Sequence, residues 1–389
     1  MNELQRRLAK RRAQGLYRTR MVLDSPQAVE VRVGDDALLS FCSNDYLGLA
    51  NHPRVVEAFR SAVGRYGAGA GASHLVTGHT RAHHRLEDDL AELIGSERTL
   101  LFSTGYMANL GIVSALAGRG SRIYEDRLNH ASLIDAARLA RAKVTRYPHI
   151  AVSRLADSID AHGPGGLITT DAVFSMDGDL APLPELVRIA RDAGARVLID
   201  DAHGFGVLGE NGRGSLEHWG IPPADPAILM CTLGKALGTF GAFVAGTADL
   251  IETLIQEART YTYTTALPPA VAEATRASLA ILRDEPWRRT HLHALVQRFR
   301  QGASDLGLAL AESRTPIQPL IMGTATRASD AAAALRAAGL LVPAIRPPTV
   351  PEGSARLRIT FSAAHTFEHV DRLLEALGRL PAVDDATAP

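Results

Sequence analysis

The chain has 389 residues, with 42 lysines and arginines against 42 aspartates and glutamates, and only two cysteines. That charge balance leaves no global field to draw in nucleic acid or an anionic membrane, and two cysteines cannot build a disulfide framework, which points to a reducing, cytoplasmic setting. No apolar run approaches the roughly 20 residues of a membrane span, and the basic N-terminus lacks the unbroken apolar stretch of a secretory signal.

Residues 2–15 place Leu4, Leu8 and Ala9 at helical spacing among arginines, with Gly15 expected to end that helix. Leu16-Tyr17-Arg18-Thr19-Arg20 reads as a basic connector. Residues 29–33 alternate and turn at Gly34-Asp35-Asp36 into residues 37–41, the pattern of a β-hairpin. A loop rich in turn formers follows at 42–49, then a helix over 53–65 and the run Gly67-Ala68-Gly69-Ala70-Gly71. A dinucleotide fingerprint must follow a strand and open a helix; here a helix comes first, and Ala72 holds the third glycine position. His79, His83 and His84 have a spacing suited to metal, yet no nearby cysteine or acidic cluster is expected to complete a site. Packed or solvated histidines are expected there, and no metal.

From about 85 to 250 helix and strand alternate. A helix over 85–94 leads to Leu100-Leu101-Phe102, and Ser103-Thr104-Gly105-Tyr106 opens a helix running to Leu116. Strand 122–124, helix 132–142, strand 166–170 ending in Asp171, helix 184–193, strand 197–200 and strand 228–231 follow. Such alternation predicts a largely parallel sheet with helices on both faces. Ligands of these sheets sit beyond the carboxyl ends of the strands, where Thr104, Asp171, Asp200 and Thr232 fall. After Pro286 the texture changes to a long helix over 289–305, strands at 317–321, 340–342 and 356–359, and helices at 329–337 and 367–378. The expected division is an N-terminal helix and hairpin arm over 1–45, a large α/β domain over 46–285, and a small α+β domain over 286–389.

Lys235 lies between two short apolar runs, Leu229-Met230-Cys231 and Gly241-Ala242-Phe243-Val244-Ala245-Gly246, that read as buried strands. A P-loop is ruled out because Ala236 stands where Ser or Thr is required. Burial lowers a lysine pKa, and an unprotonated amine can form a Schiff base; the bland alternative is a stem on apolar surface with its head in water. A pyridoxal phosphate enzyme needs a Schiff-base lysine, a carboxylate on the pyridine nitrogen, a phosphate cradle and a stacking group. Lys235 matches the first, and Asp200 at a strand end the second. Gly105 and Tyr106 at a helix start, with the Thr232 hydroxyl, match the third. Taken singly, capping accounts for Thr104 and Gly105, and a turn for Asp200.

Five segments occur in a telling order: Ser43-Asn44-Asp45-Tyr46-Leu47-Gly48-Leu49, Asn129-His130-Ala131-Ser132, Phe174-Ser175-Met176-Asp177-Gly178-Asp179, Asp200-Asp201-Ala202-His203-Gly204 and Thr232-Leu233-Gly234-Lys235. On them the chain resembles the α-oxoamine synthases, over essentially its full length. Residues Ile345-Arg346-Pro347-Pro348-Thr349-Val350-Pro351 look like the biotin-pathway members of that family. The resemblance implies the fold-type-I PLP-dependent transferase fold, with a largely parallel seven-stranded sheet in the large domain and a smaller α+β C-terminal domain. It also implies pyridoxal 5'-phosphate as cofactor, and the condensation of L-alanine with pimeloyl-CoA or a pimeloyl-carrier protein to 8-amino-7-oxononanoate, with loss of carbon dioxide.

Residue by residue, it makes Lys235, His130 and Asp200 catalytic. His130 would stack on the cofactor ring and help hold the amino-acid carboxylate, Ser175 and His203 would bind the phenolic side, and Asp200 the ring nitrogen. Arg18, Asn44, Thr349 and Arg358 would contact substrate. Thr264 and Thr265 would reach the phosphate of the neighbouring subunit, making a homodimer with shared active sites. His74 departs from the small residue expected in the glycine-rich loop. A sister synthase using glycine or serine with another acyl-CoA, of the 2-amino-3-ketobutyrate CoA ligase type, has the same parts. A silent binding or scaffold protein on the same fold is the reading from another class.

Overall fold

The computed structural model describes residues 2–14, 16–224 and 226–381. Gly15, the expected helix stop, and most of the C-terminal tail lie outside the described residues. The chain divides into two compact units, one of Met1–Gly48, Met176–Gly178 and Thr290–Pro389, the other of Leu49–Ser175 and Asp179–Arg289.

The second unit is built on seven strands: β1 (Arg98–Phe102), β2 (Arg122–Asp126), β3 (Lys143–Tyr147), β4 (Leu167–Asp171), β5 (Arg196–Asp200), β6 (Ala227–Thr232) and β7 (Ala242–Gly246). Their order across the sheet is β1-β7-β6-β5-β4-β2-β3. Only β7 runs antiparallel to its neighbours, so the sheet is largely parallel, as the alternation of elements predicts. Buried on both faces, β6 and β7 read as near-continuous apolar runs. β3 escaped the sequence reading because it is an edge strand, Lys-Val-Thr-Arg-Tyr, with one buried residue and no apolar run to detect. The helix Pro269–Asp284 was missed for another reason. Its buried face is mostly Ala, Thr and Ser, which carry little hydrophobic signal.

In register, Asp171 on β4 pairs with Asp200 on β5, and Asp200 with Met230 on β6. The carboxyl ends of three central strands therefore converge. The loop beyond β5 is anchored by Asp201, fully buried, whose carboxylate accepts from the Ser215 N–H at 2.7 Å and the Ser215 hydroxyl at 2.6 Å. Gly204 and Gly214 press against that carboxylate so closely that a Cβ on either would overlap its oxygens.

In the first unit the expected hairpin forms from Glu30–Val33 and Asp36–Ser40, and Leu340–Leu341 adds a parallel strand to it. Ile317–Gly323, Ala355–Thr360 and Ala344–Ile345 make a second small sheet, with Ala355–Thr360 in the middle and fully buried.

A charged triad braces the second unit. His149 offers Nδ1 to Asp126 at 3.0 Å and Nε2 to Asp179 at 2.8 Å. Burial would lower this imidazole, but the two carboxylates outweigh it and raise its pKa from 6.5 to about 10. A histidine raised in this way stabilises the fold in full below pH 6.5, and the contribution is lost as pH climbs through about 10. His149→Gln should therefore cost about 2 kcal/mol at pH 6 and almost nothing above pH 10. Urea midpoints of both proteins at the two pH values check this, and an equal gap at both would refute it.

Candidate active site

β6 delivers the chain into Thr232-Leu233-Gly234-Lys235, and the loop closes on itself. Leu233 N–H donates to Gly241 O at 2.9 Å, Thr239 N–H to Leu233 O at 3.0 Å, and Gly238 N–H to Lys235 O at 2.9 Å. Gly238 takes φ +65°, and a Cβ there would collide with the Leu49-Ala50 backbone, so only glycine fits. Lys235 is held half-buried, with Nζ 2.9 Å from His203 Nε2. Two protonated groups cannot share that contact, because one must offer a lone pair. The pair thus carries one proton fewer than two isolated cations would.

Asp200 ends β5 and is 4% exposed. Its Oδ1 accepts from Ala202 N–H at 3.1 Å, and its Oδ2 from Asn109 Nδ2 at 2.7 Å. Asn109 lies on the helix Gly105–Leu116 and spends its other amide hydrogen on Ser132 Oγ at 2.9 Å. Ser132 Oγ lies 2.7 Å from His130 Nδ1, which also accepts from Ser132 N–H at 3.3 Å. A backbone N–H can only donate, so His130 Nδ1 is the acceptor and a neutral ring carries its proton on Nε2. Burial lowers the His130 pKa and the Lys235 charge adds to that, against the opposing pull of Asp200. Asp171 completes the group, its Oδ2 accepting from His130 N–H at 2.6 Å. Burial first, then the neighbouring Asp200 charge, pushes its carboxyl well above the usual range.

The helix Gly105–Leu116 begins at the same strand ends. Thr104 caps it, Oγ1 accepting from Met107 N–H at 3.1 Å. A Cβ on Gly105 would stand 2.7 Å from Thr232 Cγ2, so the glycine lets the helix start approach the strand that carries Lys235. Thr232 Oγ1 donates to Ala202 O at 3.3 Å. Tyr106 is partly exposed and its hydroxyl donates to Asp135 Oδ2 at 2.5 Å.

Of the residues singled out from the sequence, Lys235 and His203 meet directly. Asp200 and His130 are joined through Asn109 and Ser132, and Gly105 packs against Thr232. Ser175 is half-buried at the end of the second unit's first segment, Thr264 is half-buried and Thr265 exposed between two helices. The other four lie in the first unit, as two pairs. Arg358 donates from Nη1 and Nη2 to Asn44 Oδ1, both at 3.3 Å, and Arg18 Nη2 donates to Thr349 Oγ1 at 3.2 Å. Sequence reasoning missed Asn109. The available signal was a carboxamide one turn after Gly105, inside the otherwise apolar run Gly-Tyr-Met-Ala-Asn-Leu-Gly-Ile-Val.

These residues fit pyridoxal phosphate. They offer an amine beside a proton partner, a buried carboxylate for a pyridinium, a neutral imidazole, and a glycine-led helix N-terminus where anions bind. The family model described as aminotransferase class I and II matches residues 36–377. The 8-amino-7-oxononanoate synthase of Thioalkalivibrio sulfidiphilus is 59% identical over 381 residues, 97% of each chain. A solved serine palmitoyltransferase from S. paucimobilis, with a PLP–myriocin aldimine bound, matches at TM-score 0.91 and 29% identity over 97% of this chain and 96% of that one. The solved 8-amino-7-oxononanoate synthase from Francisella tularensis matches at TM-score 0.76 and 32% identity over 88% and 97%. With that lysine–histidine contact, that buried aspartate and these relatives spanning nearly its whole length, the chain belongs to the aminotransferase class I and II family, among its 8-amino-7-oxononanoate synthases.

Proposed function

We infer that this chain joins L-alanine to a pimeloyl thioester, of coenzyme A or of a carrier protein, and releases 8-amino-7-oxononanoate, carbon dioxide and free thiol, the step of biotin synthesis named for its relatives. The observation that carries the chemistry is the Lys235 Nζ–His203 Nε2 contact at 2.9 Å beside the buried Asp200 carboxylate. A synthase for glycine or serine with another acyl-CoA is not favoured, since relatives of 59%, 58% and 56% identity are 8-amino-7-oxononanoate synthases and the serine palmitoyltransferase stands at 29%.

Pyridoxal phosphate, when bound, supplies an electron sink for charge developing at the amino-acid Cα. The chain's own residues do the rest. Asp200, fixed by two N–H donors, would keep the ring nitrogen protonated. Lys235 Nζ is the base for the Cα proton, and His203 Nε2 is close enough to take a proton from its ammonium and leave the amine neutral. His130, neutral and protonated on Nε2, offers a flat face and one donor for the amino-acid carboxylate. The Gly105–Leu116 N-terminus would hold the phosphate with its free N–H groups. Arg358 with Asn44, and Arg18 with Thr349, are the proposed contacts for substrate carboxylates. Their support is the family resemblance and the pairing of each guanidinium with a neutral acceptor. Thr264 and Thr265 are the proposed contribution to a neighbouring subunit's phosphate. Among the described residues no helix is long and apolar enough to cross a membrane.

Lys235→Ala should lower turnover of L-alanine and pimeloyl-CoA by about 1000-fold or more, with loss of the visible cofactor absorbance of the purified protein. Turnover near wild type would remove Lys235 from its role. Asn109→Ala removes one charge-assisted hydrogen bond, worth about 1.5–3 kcal/mol, so the affinity for pyridoxal phosphate should fall about 10- to 100-fold. Fluorescence titration of the stripped protein measures it, and unchanged affinity would show that Asp200 needs no such support.

A further inference from the structure

A cluster of histidines outside the catalytic group has no part in the chemistry above. The short π-helical turn His74–Gly78 and the helix Arg81–Ile94 meet at His79 and Thr80. Two of the four histidines there are occupied by their neighbours. His83 accepts the Thr80 N–H on Nδ1 at 3.0 Å and lies 2.7 Å from Leu267 O through Nε2. His74 is stacked on Tyr261 and sets its Nδ1 3.0 Å from His79 Nδ1.

That leaves His79 Nε2, Glu87, and the ring of His84, whose Nε2 stands 4.0 Å from Asp88 Oδ2. One ligand atom from each of the three lies within 4.8 Å of the others. His84 and Glu87 are one turn apart on one helix face. The three border a cavity of about 290 Å³.

We propose that His79, His84 and Glu87 bind one divalent transition-metal ion of the zinc class. Two imidazoles and one carboxylate are a donor set for such ions, and three protein ligands leave a position for water. Magnesium and calcium call for more oxygen ligands than stand here. His79 Nε2 is 3.8 Å from Glu87 Oε2. That is too long for a hydrogen bond but close to the roughly 3.3 Å between two ligands of one tetrahedral zinc. The remaining closure falls to His84, whose side chain is 55% exposed and has room to turn inward.

The surroundings prepare the ligands. His74 and His79 meet through their Nδ1 atoms, so one of the two nitrogens carries the hydrogen. When His79 carries it, its Nε2 is left with a lone pair facing Glu87, the arrangement in which a second-sphere acceptor orients a metal-binding imidazole. Glu87 has one oxygen accepting from Leu101 N–H at 3.0 Å and the other turned to His79. A bound cation would tie the end of the His74–Gly78 turn to the helix.

The test uses the full-length enzyme with pyridoxal phosphate bound, freed of metal by chelation and dialysis. Zinc chloride is titrated in and bound zinc counted by elemental analysis; cobalt(II) chloride, in a parallel titration, reads coordination from visible absorption. One zinc per chain is expected, together with visible bands of low-coordinate cobalt. His84→Ala and Glu87→Gln should each weaken zinc at least tenfold, whereas His162→Ala, on a distant exposed helix end, should leave it unchanged. His84 is exposed enough that its loss does not threaten folding. No saturable zinc on the wild-type enzyme, or zinc retained undiminished by both variants, overturns the site.

Discussion

Two hydrogens on one buried amide tie the carboxylate of Asp200 to the imidazole of His130. Asn109 is wholly buried, gives one hydrogen to Asp200 and the other to Ser132, and its own oxygen has no hydrogen-bond partner among the described residues. An unsatisfied buried acceptor costs about 1–3 kcal/mol. The molecule bears that cost to fix the direction of every other bond in the chain of contacts. Because both amide hydrogens point outward, Ser132 Oγ must accept from Asn109 and is free to donate to His130 Nδ1. The proton of a neutral His130 is thereby placed on Nε2. One side chain on one helix sets both the carboxylate and the tautomer.

The same strand ends gather acids that would repel one another if all were charged. Asp171 and Asp200 are paired in register on adjacent strands, and Asp201 follows at once. Each has its own donors: His130 N–H for Asp171, Asn109 and Ala202 for Asp200, and Ser215 for Asp201. Burial raises Asp171 far and Asp201 to about 7. The cations answer in the same way. Lys235 and His203 share a contact that cannot hold two full sets of protons, and burial keeps His130 neutral. Buried ionisable groups survive only when paired or neutralised, and here both devices operate within a few ångströms.

Glycines make these approaches possible. At Gly105 the absent Cβ lets a helix start close on Thr232, and at Gly238 a positive φ and a bare Cα let the lysine loop pass Leu49-Ala50. Each marks a spot where backbone, not side chain, shapes the pocket.

Much of this was legible beforehand. The alternation of short apolar runs with amphipathic stretches determined the largely parallel sheet, because strands covered on both faces are mostly apolar. It also put Asp171, Asp200 and Thr232 at strand ends. The order of short motifs determined the family and singled out Lys235, Asp200, His130 and His203. Edge strand β3 and the alanine-rich helix Pro269–Asp284 carried too little apolar contrast to be seen. What the tertiary structure alone decided is which distant polar groups meet. Asn109 touches Asp200 across 91 positions, and His203 reaches Lys235 across 32. Glu87 turns toward His79 although nothing in the histidine spacing called for an acid. Periodicity records which face of an element is buried; it does not record which hydrogen-bond partner another element brings to that face, and that is settled only when the packed strands and helices fix their register.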